Sequence, residues 1–417
     1  MRMLDVSPRV CIPPVRGGSQ TRIYNLLLRL AANHEVRQFS SPRLIELRAP
    51  GFVTERQETP SYREHRDDSL PAGLLREASE RIWVSAPVLT GIAARLTRPR
   101  ALPELLAWAD LTIVEFPWQF EHCLRNRPPG RPLVLATHNV EADKFATFAR
   151  GGGARLSRRP WLAYIERLEA NALANADLVL AVSDADRDRF SERYGTDPHR
   201  IVTVPNGADT RLLRPVAAAE RERAKRALGL PPERPVVLYV GAGVLPNRLG
   251  LDWVRRVARL SDRFSYLVVG AVGGAARVEG NVTYTGIVSD LPPVFAAADI
   301  SVCPLEYGGG TKIKLHESLA AGLPTVAFAQ ALHGMEIAPG EHVLVSEPDE
   351  RALLDALERI AGDPGLAARL GRSGRRFIEE RRSWDANAAR LDAAVRSLVR
   401  EAAAGPVEHP LPAMATA

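Results

Sequence analysis

Residues 303–327 read CPLEYGGGTKIKLHESLAAGLPTVA, and the rest of the chain is organised around them. Three glycines end a strand-like run, a dense helical run follows, and Gly-Leu-Pro opens the next strand. A strand, a glycine-rich turn and a helix N-terminus together make an anion site, because bare backbone N–H groups point outward and the helix dipole favours negative charge there. Gly308, Gly309 and Gly310 let a ligand approach the backbone, Lys312 and Lys314 add cations, and Glu317 falls about one and a half turns into the helix. Two lysines in the first turn oppose the dipole's preference, a conflict that eases if they meet phosphates. Leu315, Leu319 and Ala320 form an apolar side, whereas Gly310, Lys314 and Glu317 line the turn. A carboxylate with two acceptor oxygens suits a ribose diol, so the stretch predicts a site for a phosphate with something polyhydroxylated attached.

Around this unit, short β-rich runs alternate with helical ones. In the second half the runs are VVLYVGAG (236–243), FSYLVVG (264–270), VTYTGIV (282–288), ISVCPLE (300–306), TVAFA (325–329) and HVLVSE (342–347), with a helix predicted over 250–260. In the first half they are RMLDVS (2–7), LTIVEF (111–116), PLVLATHN (132–139), DLVLAVS (177–183) and IVTVPNG (201–207), with a long helix through 161–176. Such alternation specifies mostly parallel sheets covered by helices on both faces, with ligands collecting at the carboxyl ends of the strands. Glu115, His138, Asn139, Ser183, Asn206 and Gly207 are the polar or small groups found at those ends. His138 follows a buried run and is predicted to emerge at the top of its strand, with Asn139 and Glu141 in the loop beside it; an imidazole there would hydrogen-bond a sugar hydroxyl or orient a leaving phosphate. Near the start, Gly17 and Gly18 precede a helix with apolar residues at Ile23, Leu26, Leu27 and Leu30. This is not a GxGxxG fingerprint, and two adjacent glycines also fit a plain tight turn.

The predicted organisation is two doubly wound domains, 1–207 and 208–400, facing each other across a cleft. The pattern loosens around 209–235, which sets the boundary; a last helix anchored by Trp384 is a candidate to cross back to the first domain, and 401–417, rich in Ala and Pro, reads as a disordered tail. Residues 50–70 read as polar and irregular. Residues 70–100 mix apolar residues with Arg76, Arg81, Arg95, Arg98 and Arg100, a composition that suits peripheral contact with an anionic membrane or a packed helix with a charged face.

At 417 residues the chain is too long for one ordinary core. The +6 net charge suits nucleotide phosphates, anionic lipid or nucleic acid alike, but no basic patch interleaved with aromatics supports nucleic acid. Cys11, Cys123 and Cys303 are scattered without a CxxC pair, which argues against a zinc ribbon or disulfide framework and fits a reducing compartment. No apolar run reaches the ~18 residues of a spanning helix, and residues 1–5 lead straight into a strand rather than a signal peptide, so the cytosol is the expected location.

The run GGGTKIKLHESLAAGLPTV is similar to the donor-site motif of glycosyltransferase family 4, retaining sugar-nucleotide transferases with the two-domain α/β GT-B fold. ATHNVE (136–141), AVSDADRDRF (181–190), VPNGAD (204–209), YVGAGVLPN (239–247) and YTGIVSDL (284–291) resemble further segments of that family in the same order, as does the Gly17-Gly18 loop. The resemblance covers the chain to about residue 400. It implies that Glu317 binds the nucleotide ribose and that the turn Gly308, Gly309, Gly310, Thr311, Lys312 holds the diphosphate and sugar. His138 would contact the donor sugar, Gly17 and Gly18 would approach the diphosphate from the first domain, and the segment from Gly286 to Val288 would border the base. No metal or other cofactor is implied, since no DxD follows a strand and cationic side chains would neutralise the leaving group. Two departures matter: Gly309 stands where the first glutamate of the family's E-x7-E pair is common, and Ala242 and Asn247 stand where Arg and Lys are common. A subset of the family reads GGG-T-[KR]-x-K-x-x-E, as here. Backbone amides would then hold the donor hydroxyls, and Lys312, Lys314 or Arg248 would serve the phosphates, with Lys314 and His138 as the expected catalytic pair.

The expected activity is transfer of a hexosyl group from a nucleotide-diphosphate sugar to an acceptor hydroxyl with retention of configuration. A sugar-nucleotide epimerase on the same architecture, and a non-catalytic sugar-nucleotide or polysaccharide-binding protein, stay open as alternatives.

Overall fold

The computed structural model describes residues 1–13, 17–82, 87–150, 158–307 and 311–404. Two sheets account for its strands. The first contains β1 (Arg2–Ser7), β2 (Glu35–Ser40), β3 (Glu55–Thr59), β4 (Tyr62–Arg66), β5 (Leu111–Glu115), β6 (Leu133–Ala136), β7 (Leu178–Ala181) and β8 (Ile201–Thr203) in the order β3-β4-β2-β1-β5-β6-β7-β8. The second contains β9 (Val236–Val240), β10 (Ser265–Val269), β11 (Arg277–Glu279), β12 (Val282–Gly286), β13 (Ile300–Cys303), β14 (Thr325–Phe328) and β15 (Leu344–Ser346) in the order β11-β12-β10-β9-β13-β14-β15. Every neighbouring pair is parallel except β3/β4 and β11/β12, which form antiparallel edges.

The parallel strands are buried on both faces, which is why SYLVV, LTIVE and TVAF read as unbroken apolar runs rather than alternating ones. Among the parallel strands of each sheet the chain order reverses once, between β1 and β5 in the first and between β9 and β13 in the second. Helices leaving adjacent strands in opposite directions open a crevice at such a reversal, beyond the carboxyl ends of the strands. In the second sheet β13, followed in the chain by the helix Ile313–Ala320, is a strand of the reversal; Glu115 ends β5 and sits at that of the first.

Four sequence expectations are corrected. Residues 50–70 are not irregular: they hold the β3/β4 hairpin. Its strands, ERQET and YREHR, hide their β pattern because buried Glu64 is carried by Arg66, 2.8 Å away, and by the Ser40 hydroxyl, which donates to it at 2.6 Å. The helix predicted over 250–260 begins at Leu245, where Pro246 occupies the first turn and loses no intrahelical bond. The last helix, Trp384–Ala404, continues through residues 401–404, expected in the tail, while 405–417 lie outside the described residues. Arg76, read as part of a basic surface, is 2% exposed, held within reach of Glu46 and Glu80.

That last helix packs on the first sheet's layers: Trp384, Ala388, Leu391 and Val395 share a core with Met3, Ile23, Leu27 and Leu30. Burying each of the larger side chains contributes ~1.5–3 kcal/mol, so the chain's end is fastened to its beginning. The connection between the sheets is stitched to the same segment, Ala208 N–H donating to the Arg382 carbonyl (3.0 Å) and Trp384 N–H to the Ala208 carbonyl (3.2 Å).

Candidate functional site

On the second sheet the site is built on the helix Ile313–Ala320, with Lys312 at its N-cap. Gly308, Gly309 and Gly310 lie outside the described residues. Lys314, half-buried in the first turn, donates to the Asn247 side-chain oxygen at 2.7 Å and lies 4.8 Å from the centre of the Tyr239 ring. Asn247 is fixed in turn: its amide donates to the Ala242 carbonyl (2.9 Å), and the Tyr239 hydroxyl donates to its own carbonyl (2.7 Å). Burial pushes the Lys314 ammonium down to about 8, against a smaller opposing pull from Cys303 and Glu317. Burial likewise pushes the Glu317 carboxyl up to about 7, with Lys314 acting the other way. The Glu317 carboxylate accepts no hydrogen bond among the described residues. Lysine and glutamate one turn apart are thus both held short of full charge by burial, so an incoming phosphate and diol would draw each toward its charged form.

Of the remaining candidates on this side, Arg248 is exposed and its side chain has no hydrogen bond or ion pair among the described residues. Gly286 adopts φ +68°, and a Cβ there would lie 3.1 Å from the Gly274 carbonyl; its own carbonyl accepts from Gly270 N–H at 2.8 Å. Val288 packs partly buried against the core below. Gly286 ends β12 and Val288 lies just beyond it, whereas Arg248 is on the helix Leu245–Leu260 that follows β9.

On the first sheet, Gly17 is the N-cap and Gly18 the first residue of the helix Gly18–Leu30. A Cβ on Gly18 would lie 3.5 Å from Ile313 Cδ1, so this helix start faces the start of the helix Ile313–Ala320. Thr311 is reached from the first half as well: Asn206 donates to its hydroxyl at 2.7 Å. Lys312, its ammonium lowered by burial, has Asp186 among its electrostatic neighbours.

His138 is not at the open top of its strand. It is 8% exposed, its Nε2 is 2.6 Å from Glu115 Oε2, and its ring stacks on Phe116 with centroids 4.1 Å apart and planes 15° apart. Burial drives the imidazole well below its ordinary value, with Arg22 next in effect, and lifts Glu115 to about 7, opposed by Arg22. Phe116 has φ +68° and ψ 160°, a region nearly restricted to glycine that costs on the order of 1–3 kcal/mol elsewhere. Glu141, expected in a loop, is the buried first residue of the helix Glu141–Arg150, and Asn139 donates to its carboxylate at 2.9 Å.

Two residues escaped the sequence reading. Arg22 is 2% exposed and donates to the Val204 carbonyl (2.7 Å) and Asn206 Oδ1 (3.3 Å), which makes Arg22, Asn206 and Thr311 one chain across the two halves. Its signal was a charge placed four residues before Leu26 on the apolar stripe. Asp5, inside a buried strand, is the other; a carboxylate in the middle of RMLDVS was the clue.

The sequence pattern of "Glycosyltransferase Family 4" matches residues 16–212, and that of "Glycosyl transferases group 1" matches residues 234–363. A D-inositol 3-phosphate glycosyltransferase of Rhodococcus opacus is 27% identical over 278 residues, 61% of this chain and 60% of the relative, so the alignment spans under two thirds of that protein. Among solved structures, sucrose-phosphate synthase from Thermosynechococcus elongatus superposes with a TM-score of 0.76 at 21% identity, covering 96% of this chain and 100% of that one. Anabaena HepE in complex with UDP-glucose superposes with a TM-score of 0.65 at 16% identity, covering 95% and 99%. These likenesses show the GT-B fold.

Proposed function

The chain belongs to the family 4, group 1 glycosyltransferases, and from that premise we propose that it transfers a hexosyl group from a nucleotide-diphosphate sugar to an acceptor hydroxyl, with retention and without a metal. The observation that carries the reading is the pair Lys314 and Glu317: a desolvated ammonium oriented by Asn247, one turn from a carboxylate with no donor among the described residues, on the helix that follows a strand of the second sheet's reversal. The ammonium would meet the diphosphate and the carboxylate the ribose hydroxyls. Charge develops on the departing diphosphate in the transition state, and a cation already stripped of water stabilises it without reorganising; such preorganised electrostatics are the strongest source of rate acceleration open to a site of this kind. Gly17, Gly18, Thr311, Lys312 and the backbone of 308–310 would complete the diphosphate cradle, Arg248 its rim, Gly286 and Val288 the base border, and His138 the sugar contact. HepE, whose complex holds UDP-glucose, makes that donor the first to try, and D-inositol 3-phosphate, acted on by the Rhodococcus relative, a first acceptor. Exposed Leu70, Leu74 and Leu96 among the arginines of 70–100 are the surface for peripheral membrane contact.

A thermal-shift screen of UDP-, GDP-, ADP- and dTDP-sugars tests the proposal, because a ligand that binds only the folded chain raises its transition temperature. One of the four is expected to stabilise the parent and to lose that effect in Glu317→Ala and Lys314→Ala. If none stabilises it, or both variants respond like the parent, the donor site is elsewhere.

A further inference from the structure

Asp5, Glu115 and His138 form a line of three titratable groups from β1 through β5 to the second residue after β6. The Asp5 Oδ1 accepts from the Gln38 amide at 2.8 Å, but its Oδ2 is buried and no donor among the described residues reaches it. The group next to it is the Glu115 carboxyl, within side-chain hydrogen-bonding reach and itself 6% exposed. Two ionised carboxylates in contact, both without water, would leave one oxygen unpaired at a cost that a single proton removes. On its other side Glu115 meets His138 Nε2 at 2.6 Å, and His138 Nδ1 has no hydrogen-bond partner among the described residues.

We propose that Asp5 carries a proton at neutral pH and donates it to Glu115, that ionised Glu115 accepts Nε2–H of a neutral His138, and that His138 therefore presents Nδ1 as a bare hydrogen-bond acceptor to a donor-sugar hydroxyl. Asp5 and Glu115 are positioning residues in this scheme, acting on substrate only through the imidazole. Phe116 joins them by covering one face of the ring, which is the role its strained backbone serves. The charges balance: buried Arg22 matches the one buried anion on Glu115, so neither the acid nor the imidazole needs to be charged. Other charged groups facing the line are Arg9 from the loop after β1, Glu64 from β4, and Glu141 and Lys144 from the helix Glu141–Arg150; Glu64 is matched by Arg66 and Glu141 by Lys144 at 3.2 Å. The tautomer of a histidine is set by the bond its other nitrogen makes. The directions found for Asp5, up, and His138, down, agree with this distribution, and on Glu115 the charge of Arg22 and the Asp5 hydrogen bond favour the ionised form against its burial.

The inference rests on the glycosyltransferase reading only for the identity of the group that Nδ1 meets. Its test needs no substrate: ligand-free protein labelled with 15N-histidine, observed by long-range 1H–15N correlation at pH 7, with His138 identified among the nine histidines by its loss in His138→Gln. One set protonated at Nε2 and bare at Nδ1 is expected, retained in Asp5→Asn, whose amide N–H replaces the acid O–H, and averaged between tautomers in Glu115→Ala. In parallel, infrared difference spectra should show a protonated carboxyl band that Asp5→Asn removes. A wild-type His138 protonated at Nδ1, or at both nitrogens, overturns the proposal, and so does a wild-type protein with no protonated carboxyl band; the carboxyl reading needs no variant and stands even if His138→Gln fails to fold. Absence of nucleotide-sugar binding in the thermal screen would sink the functional reading and leave the tautomer assignment untouched.

Discussion

Binding of a nucleoside diphosphate should change the protonation of this site in opposite directions on either side of about pH 7.5. Glu317 sits at about 7 and must be ionised to accept ribose hydroxyls, so binding lowers it and releases protons. Lys314 sits at about 8 and must be protonated to meet phosphate, so binding raises it and takes protons up. At pH 7 about half of Glu317 and only about a tenth of Lys314 are in the wrong form, giving a net release of ~0.4 proton per ligand. At pH 8 the fractions exchange and the net becomes an uptake of ~0.4, growing to ~0.9 at pH 9. The UDP terminal phosphate, with its second ionisation near pH 6, adds little in this range. Calorimetry with UDP, and with GDP and ADP in parallel, in two buffers of different ionisation enthalpy at pH 7, 8 and 9 measures the proton count directly. Lys314→Met should abolish the uptake at pH 8 and 9 and leave the release at pH 7; Glu317→Gln should do the reverse. A proton count that stays at zero from pH 7 to 9, or a Lys314→Met variant with the parent's uptake, would refute the assignment of these two groups to the ligand.

Two further outcomes follow from the same geometry. Because the folded-state value of Lys314 lies below its unfolded value, folding is penalised while the lysine is protonated, and the penalty is relieved as pH rises from 8 towards ~10.4; Lys314→Met should therefore be more stable than the parent at pH 7, by ~3 kcal/mol at most and nearer ~1–2 for a half-buried side chain, in urea melts, while binding nucleotide more weakly. A variant less stable than the parent at pH 7 would show that the ammonium's hydrogen bond to Asn247 outweighs its desolvation. Asn206→Ala removes the link between Arg22 and Thr311 and leaves part of a buried guanidinium unpaired, so a loss of ~1–3 kcal/mol in denaturant unfolding is expected, and an unchanged midpoint would mean the bridge contributes nothing.

Much of the fold was legible because parallel strands buried on both faces leave continuous apolar runs, and the turn residues between them are distinct. The β3/β4 hairpin was illegible for the converse reason: YREHR reads as surface until Arg66 and Ser40 are placed around Glu64. Of the site, Lys314 and Asn247 were named separately, but nothing in a separation of 67 residues says that one donates to the other. His138 was read as an exposed strand-end group; its burial depends on Phe116, whose backbone conformation no local preference would select.

The one-dimensional pattern determined that there are two wound sheets, that a helix follows the strand Ile300–Cys303 of the second, and that Lys314 and Glu317 share a helix face, because these depend on periodicity and spacing along a single element. Tertiary structure alone decided which strand is the reversal point, that Arg22 and Asn206 tie the first half to Thr311, and that Asp5, Glu115 and His138 stand in a row. Those facts are contacts between segments far apart in the chain, and the desolvation that moves their protons exists only once the surrounding layers have closed over them.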